Sequence, residues 1–370
     1  MRRFFFLLLL LLPTATLYAQ SDSFTARTIP VYSKLHSMIV SDDGRLAATH
    51  ELGVIHNDEI FPEMLPIRVF DIEAGEEIHT LEGHTDYAVA LAFNDDATVL
   101  ASLHAVGWIY LWDMESGDLI KQIPAAPGNT PIAFVPGSNQ LIQVSNGGLI
   151  PLMLVWDLDS EAIVSIIADR PVTLEAARAR FDDNPIPQAE QLVMLLPFSD
   201  GETVFTATLL DTVLRWNIQT GEFSRLFAAE SENAIFNILD LVVSEDGQTL
   251  FVPHLGNDTI TVINAETGAE LEVYDFSEVR LGPRVPIDLD GDIIVYVTRP
   301  DNELTFNIAP LSNLMDAEQI ALVDFEEIAD LVAFTPRLNM DIYDGGNRIV
   351  VGGFAARDAP ETNKILILER

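Results

Sequence analysis

The sequence contains no cysteine. No disulfide can staple the fold, and no lipid can sit on an N-terminal cysteine. Stability therefore has to come from burial and from closure of the fold. Positive charge is scarce as well. Twenty lysines and arginines stand against 57 aspartates and glutamates, a formal net charge of −37. Such a surface repels nucleic-acid backbones and anionic membranes, which argues against a nucleic-acid partner and favours cations or basic proteins. The enzyme signatures G-x-S-x-G, H-E-x-x-H and the phosphate-binding glycine loop are missing. Beyond the N-terminus no apolar run reaches the ~20 residues of a membrane span.

The first twenty residues differ from the rest. "MRRFFFLLLLLLPTATLYAQ" has two arginines, an apolar run Phe4–Leu12, a break at Pro13 and a small residue, Ala19, before a polar segment. That is the layout of a secretory signal peptide. Residues 1–19 are therefore read as a signal peptide and 20–370 as one exported domain, periplasmic, cell-surface or extracellular. A retained N-terminal anchor is the alternative.

The mature chain repeats one phrase. An apolar run ends in an aromatic or apolar residue followed by an acid or asparagine, then an acidic turn. The marks are Phe70-Asp71, Trp112-Asp113, Trp156-Asp157, Trp216-Asn217, Ile263-Asn264, Phe306-Asn307 and Leu368-Glu369. They lie 42, 44, 60, 47, 43 and 62 residues apart. A period near 43 with two insertions predicts four-stranded propeller blades. Asp/Gly turns fall between the marks, including "SDDG" (41–44), "NDDA" (94–97) and "SEDG" (244–247). Strands such as "YAVALAF" are apolar on both faces, as expected where blades stack.

"LEGHTDYAVALAFNDDATVLASLHAVGWIYLWDMESGDLI" resembles a WD40 repeat, with Gly83-His84 before the first strand and Trp112-Asp113 closing the third. "TLFVPHLGNDTITVINAETGAEL" (249–271) is similar to the YVTN-type bacterial propeller repeat. The resemblance implies an all-β, seven-bladed propeller of four-stranded antiparallel blades. It also implies a buried hydrogen-bond set in blade 2 made by His84, Ser102 and Trp112, with Val106 where the family's aspartate would stand. Asp113 is structural on the same grounds. The last unit lacks its outer strand, and "ARTIPVY" (26–32) is available to pair with 364–370 and close the ring. Pro30 is tolerable on an outer edge.

Spacing locates the long connections. From a second-strand anchor to the mark is 24 residues in blade 1 (Leu46–Phe70) and 12 in blade 2 (Leu100–Trp112). Blade 6 also has 12 (Ile294–Phe306), and blade 7 has 19 (Ile349–Leu368). Insertions therefore fall at 51–66 and 354–363. A third, at 169–190, joins blades 3 and 4 and reads as a short helix over 173–182. In the propeller these share one face, where binding loops tend to sit. Asp58, Glu59, Arg178 and Arg180 lie in them and are binding-face candidates. Counting four residues beyond each anchor places His50, His104 and His254 at one equivalent position near that face, also as candidates. They read as polar strand-end residues, and no metal is assigned to them. "DLDGD" (288–292) offers three carboxylates but breaks the EF-hand pattern and aligns with a blade turn.

These features predict a monomeric, secreted, non-catalytic scaffold for a protein or peptide, with no cofactor. The alternative is a propeller enzyme, lactonase-like or a metal-dependent hydrolase, with its site over the central channel.

Overall fold

The computed structural model describes residues 24–370 except 32–34, 52–54, 57–58, 61–65, 85, 129, 147–150, 169–190, 229–237, 239, 255, 283–286, 301–303, 323–338 and 357–358. The expected signal peptide, the expected helix at 173–182, Asp58, Arg178 and Arg180 lie outside the described residues. Among the described residues there is no α-helix, hence none long and apolar enough to cross a membrane.

Seven four-stranded antiparallel sheets make the ring. Blade 1 is Leu35–Val40, Leu46–Glu51, Ile67–Asp71 and Glu76–Leu81. Blade 2 is Ala88–Phe93, Val99–His104, Trp108–Asp113 and Leu119–Pro124. Blade 3 is Ile132–Phe134, Gln140–Ser145, Leu152–Asp157 and Ala162–Ile167. Blade 4 is Leu192–Pro197, Thr203–Thr208, Thr212–Asn217 and Phe223–Ala228. Blade 5 is Val242–Val243, Thr249–His254, Thr259–Asn264 and Glu270–Asp275. Blade 6 is Ile287–Asp290, Ile293–Thr298, Leu304–Pro310 and Glu318–Leu322. Blade 7 is Asn339–Tyr343, Arg348–Ala356, Ala359–Glu369 and, from the other end of the chain, Thr25–Pro30. That last strand pairs with the third, Ile29 opposite Ile365 and Pro30 opposite Lys364. The predicted closure is therefore present, one residue earlier than the sequence suggests. Around the axis the first strands of blades 5, 6, 7, 1, 2, 3 and 4 touch in turn.

Among the described residues the core is seven apolar clusters, one at each junction between blades. This explains the continuous apolar runs. Thr203–Thr208 is buried at every position because blades 3 and 5 cover its two faces.

The repeated acid has a defined job. Asp113 Oδ1 accepts the backbone N–H groups of Glu115 and Ser116 at 2.9 and 2.8 Å. Asp71, Asp157, Asn217 and Asn264 each accept a backbone N–H three residues on in the same way. The turn then needs a left-handed residue, and Gly117 supplies it at φ +75°.

Blade 6 departs from the reading. Ile294 pairs with Ala309, and Phe306 with Val297. The mark in that blade is therefore Ala309-Pro310. Phe306 faces blade 7, whereas Trp112, Trp156 and Trp216 face the preceding blade. A three-residue register change moves the side chain to the other face, because strand side chains alternate. Asn307 is buried and donates to Thr298 Oγ1 at 2.9 Å instead of capping a turn.

Candidate functional site

Register also corrects the histidine equivalence. Ser41 N–H bonds Leu46 O in blade 1, and Asn94 N–H bonds Val99 O in blade 2. Phe70 then lies opposite Ala47, as Trp112 lies opposite Leu100. Ala47, and not Leu46, is the anchor of blade 1. Glu51 is the counterpart of His104, and His50 falls one residue short. Only His104 and His254 share the position.

All three are buried: His50 is 1 % exposed, His104 0 % and His254 3 %. His104 belongs to the blade 2 hydrogen-bond set. Trp112 Nε1–H donates to Ser102 Oγ at 2.9 Å, and Ser102 Oγ lies 3.1 Å from His104 Nε2. His104 Nδ1 is 2.7 Å from the carbonyl oxygen of Asp86. That oxygen can only accept, so Nδ1 carries the proton and Nε2 receives the serine hydroxyl. His84 packs on this set, its ring 4.8 Å from His104 and edge-on to Trp112 at 6.1 Å. Burial, and then the neighbouring His84, pushes His104 down to about 4. The family's aspartate position is vacant at Val106, and Asp86 covers it: its Oδ2 accepts Val106 N–H at 2.8 Å.

The tryptophan bond recurs. Trp216 Nε1–H donates to Thr206 Oγ1 at 2.9 Å, and Trp156 Nε1–H to Gln143 Oε1 at 3.3 Å. In blade 5, where Ile263 replaces tryptophan, His254 faces the preceding blade instead. Its Nε2 lies 3.7 Å from Asp211 Oδ2. Asp211 Oδ1 accepts Ile238 N–H at 2.9 Å. Burial lowers the His254 pKa against the pull of Asp211.

The insertion-bearing face has firm roots. Strands alternate in direction, so second-to-third connections and blade-to-blade connections open on one face. Insertions 51–66 and 354–363 are of the first kind, and 169–190 is of the second. Within 51–66 a short hairpin joins Ile55–His56 to Glu59–Ile60, which places Glu59 on it. In blade 7 the hairpin extends until Ala356 meets Ala359. The root of 169–190 is clamped by Asn146. Its Nδ2–H donates to Leu192 O at 2.9 Å and its Oδ1 accepts Leu192 N–H at 3.2 Å.

Sequence reasoning named the central channel as an alternative site but missed the aspartates that line it. The seven first strands enclose a cavity of about 430 Å³ into which Asp42, Asp95, Asp240, Asp288 and Asp341 reach. Several of them bracket the next blade. Asp95 Oδ2 accepts Gly137 N–H at 2.6 Å, Asp240 Oδ2 accepts Ile287 N–H at 3.3 Å, and Asp288 Oδ2 accepts Ile342 N–H at 2.8 Å. Asp290, also from "DLDGD", accepts Gly345 N–H at 2.6 Å. Burial, and then the nearby carboxylates, raises Asp288 well above the usual range and lifts Asp341 to about 7. Asp42 is raised for the same reasons. The readable signal was an acid inside an apolar first strand, at the same register in "IDLD" and "NMDIY". Among the described residues, no group of three His, Cys, Asp or Glu side chains is placed to hold a metal ion.

No protein-family model matches the chain. It is similar to the small ribosomal subunit protein RACK1z of Arabidopsis thaliana, 29% identical over 144 residues, 38% of this chain and 42% of that protein. The chain thus spans about two fifths of the length of that relative. Over 240 residues it is 23% identical to the periodic tryptophan protein 2 homolog of Schizosaccharomyces pombe, 64% of this chain and 26% of that one. The crystal structure of the RRP9 WD40 repeats superposes with a TM-score of 0.65 at 14% identity, covering 96% of this chain and 99% of that one. At that identity the likeness speaks for the fold alone.

Proposed function

We propose that this seven-bladed WD40-repeat propeller is an exported, non-catalytic platform that binds a protein or peptide on the face carrying its long connections. One observation carries the reading: connections 51–66, 169–190 and 354–363 begin and end on that same face of a closed ring. Long loops held on a rigid scaffold are where binding function concentrates. The Asn146 clamp and the extended blade 7 hairpin give two of those loops fixed roots. A similar protein that is by name part of the small ribosomal subunit supports a role in assembly with partners. Export rests on the layout of residues 1–19. The mature chain is read as a monomer until it meets its partner.

The test is capture. The exported chain is immobilised, envelope extract and culture medium are passed over it, and retained proteins are identified. A variant with 171–190 replaced by a short Gly/Ser linker runs beside it, with its melting curve as the folding control. A protein held by the first and lost by the second is the expected result. Retention of nothing by either removes the platform reading.

A further inference from the structure

Charge is distributed unevenly around the ring. From Leu226 to Val279 there are eleven aspartates and glutamates and no lysine or arginine. That stretch is essentially blade 5. A cavity of about 730 Å³ opens between blades 5 and 6, on the face opposite the long connections. Such a volume is that of an ordinary ligand cleft. Glu245, Glu272 and Asp292 stand on its rim, and Phe251 and Tyr274 lie beneath. Leu271, also in the lining, is 57 % exposed. Among the described residues none of the three rim carboxylates has an ion-pair partner. Elsewhere acids do meet bases, as in Arg68–Glu77 at 2.8 Å and Lys121–Glu161 at 3.3 Å. The Tyr274 hydroxyl donates to Glu272 at 2.8 Å and holds that carboxylate at the rim. Beside the cleft runs the outer strand Glu270–Asp275, which ends the blade 5 sheet; among the described residues no strand pairs with its outer edge.

We propose that this cleft docks a basic, extended segment of a partner protein, with a lysine or arginine among Glu245, Glu272 and Asp292 and an apolar residue against Leu271. The inference rests on the platform reading and adds to it a second face and the partner's chemistry. Three like charges at a low-dielectric cleft focus the field and select a cation. The apolar floor stabilises a neighbouring side chain by removing it from water. The free edge offers backbone hydrogen bonds to an extended chain. These three requirements together describe alternating basic and apolar residues.

The probe is a fluorescent octapeptide of alternating arginine and leucine, titrated into the exported chain by anisotropy. Saturable binding that weakens in high salt is expected. The triple variant Glu245→Lys, Glu272→Lys, Asp292→Lys should bind about tenfold or more weakly. Reversing three equally exposed acids elsewhere, Glu73→Lys, Glu115→Lys, Asp118→Lys, should change affinity less than about twofold. Amide exchange across 270–275 should slow when the peptide is added. Equal losses in both triple variants would show that the peptide reads net charge alone and would overturn the proposal. So would absence of binding at low salt, or exchange at 270–275 that the peptide does not change. Melting curves identify a variant that fails to fold, and in that case the exchange result decides. Capture of a protein that depends on 171–190 leaves the platform reading standing whatever the peptide does.

Discussion

Arg27 and Glu369, 342 residues apart, meet in a two-pronged ion pair: Nε to Oε2 at 3.2 Å and Nη2 to Oε1 at 3.1 Å. Arg348 Nε adds a third contact to Oε1 at 3.1 Å. Arg27 first, and Arg348 with it, holds the Glu369 carboxyl below its usual range. The pair lies on the outer edge of blade 7, and its side chains are 34 % and 30 % exposed. At that exposure an ion pair contributes about 1 kcal/mol or less. The closure is held instead by Ile29, 2 % exposed and packed among Val350, Ile365 and Ile367.

Two variants should separate these contributions. Ile29→Ala should lower the unfolding free energy by about 2–5 kcal/mol, and Arg27→Ala by about 1 kcal/mol or less, measured by urea titration. Deleting residues 24–31 should lower the melting temperature more than either, because it exposes the edge of Ala359–Glu369. A deletion that leaves the melt unchanged refutes closure as a source of stability.

Ser102→Ala should destabilise by about 1–3 kcal/mol, since it strands the buried Trp112 Nε1–H and removes the donor facing His104. Thr206→Val should cost a similar amount in blade 4 by stranding Trp216 Nε1–H. Tryptophan fluorescence followed through urea unfolding reads both. A change within about 0.5 kcal/mol for each would show that water satisfies the indole and that the bond is dispensable.

Much of this was legible in the sequence. The period near 43, the Asp/Gly turns and the unpaired segment 26–32 carry the blade count, the strand order and the closure. The first two are readable because they are local rules repeated from blade to blade, and the third because the last unit has no outer strand of its own. What escaped was register and the aspartates at the axis. Phe306-Asn307 looks like a mark, yet a three-residue shift puts Phe306 on the other face of its sheet. His50 looks equivalent to His104 until the Ser41–Leu46 turn fixes Ala47 as the anchor. Spacing alone cannot distinguish neighbouring registers when both contain apolar residues. The axial aspartates are separated by up to 299 residues, from Asp42 to Asp341. No local pattern joins them; ring geometry does.

Stability should depend on pH through two opposed sets of groups, axial carboxyls raised by burial and histidines lowered by it, with Asp341 and His104 as their representatives. Asp341, near 3.9 when unfolded, is lifted to about 7 in the fold. The folded state therefore holds the extra proton between those values, and this contribution is lost as pH rises through about 7. His104 is pushed from 6.5 down to about 4. There the unfolded state holds the extra proton, so this contribution is lost as pH falls through about 4. The two partly cancel in the intact protein. Asp341→Asn should weaken the loss toward neutral pH, leaving there only what the raised Asp288 and Asp42 carry, and His104→Gln should weaken the loss on acidification. Melting temperatures from pH 4 to 8 test this, and parallel profiles for the two variants would contradict the assignment.

Gly221 and Gly268 occupy the same turn position in blades 4 and 5, at φ +74° and +72°. Their surroundings differ. A Cβ on Gly221 meets nothing within 4 Å, whereas one on Gly268 would lie 2.3 Å from the carbonyl oxygen of Leu226 and 2.8 Å from its Cα. Backbone strain is common to both substitutions, about 1–2 kcal/mol for a left-handed alanine. Only the second also forces blade 5 away from blade 4, because Leu226 is backbone of the neighbouring blade and cannot swing aside as a side chain would. Gly221→Ala should therefore cost about 1–2 kcal/mol and Gly268→Ala clearly more. The excess should appear as faster amide exchange in the apolar junction around Leu226 and Ala265. Equal losses would mean that the turn relaxes away from Leu226 and that glycine is required there for its conformation alone.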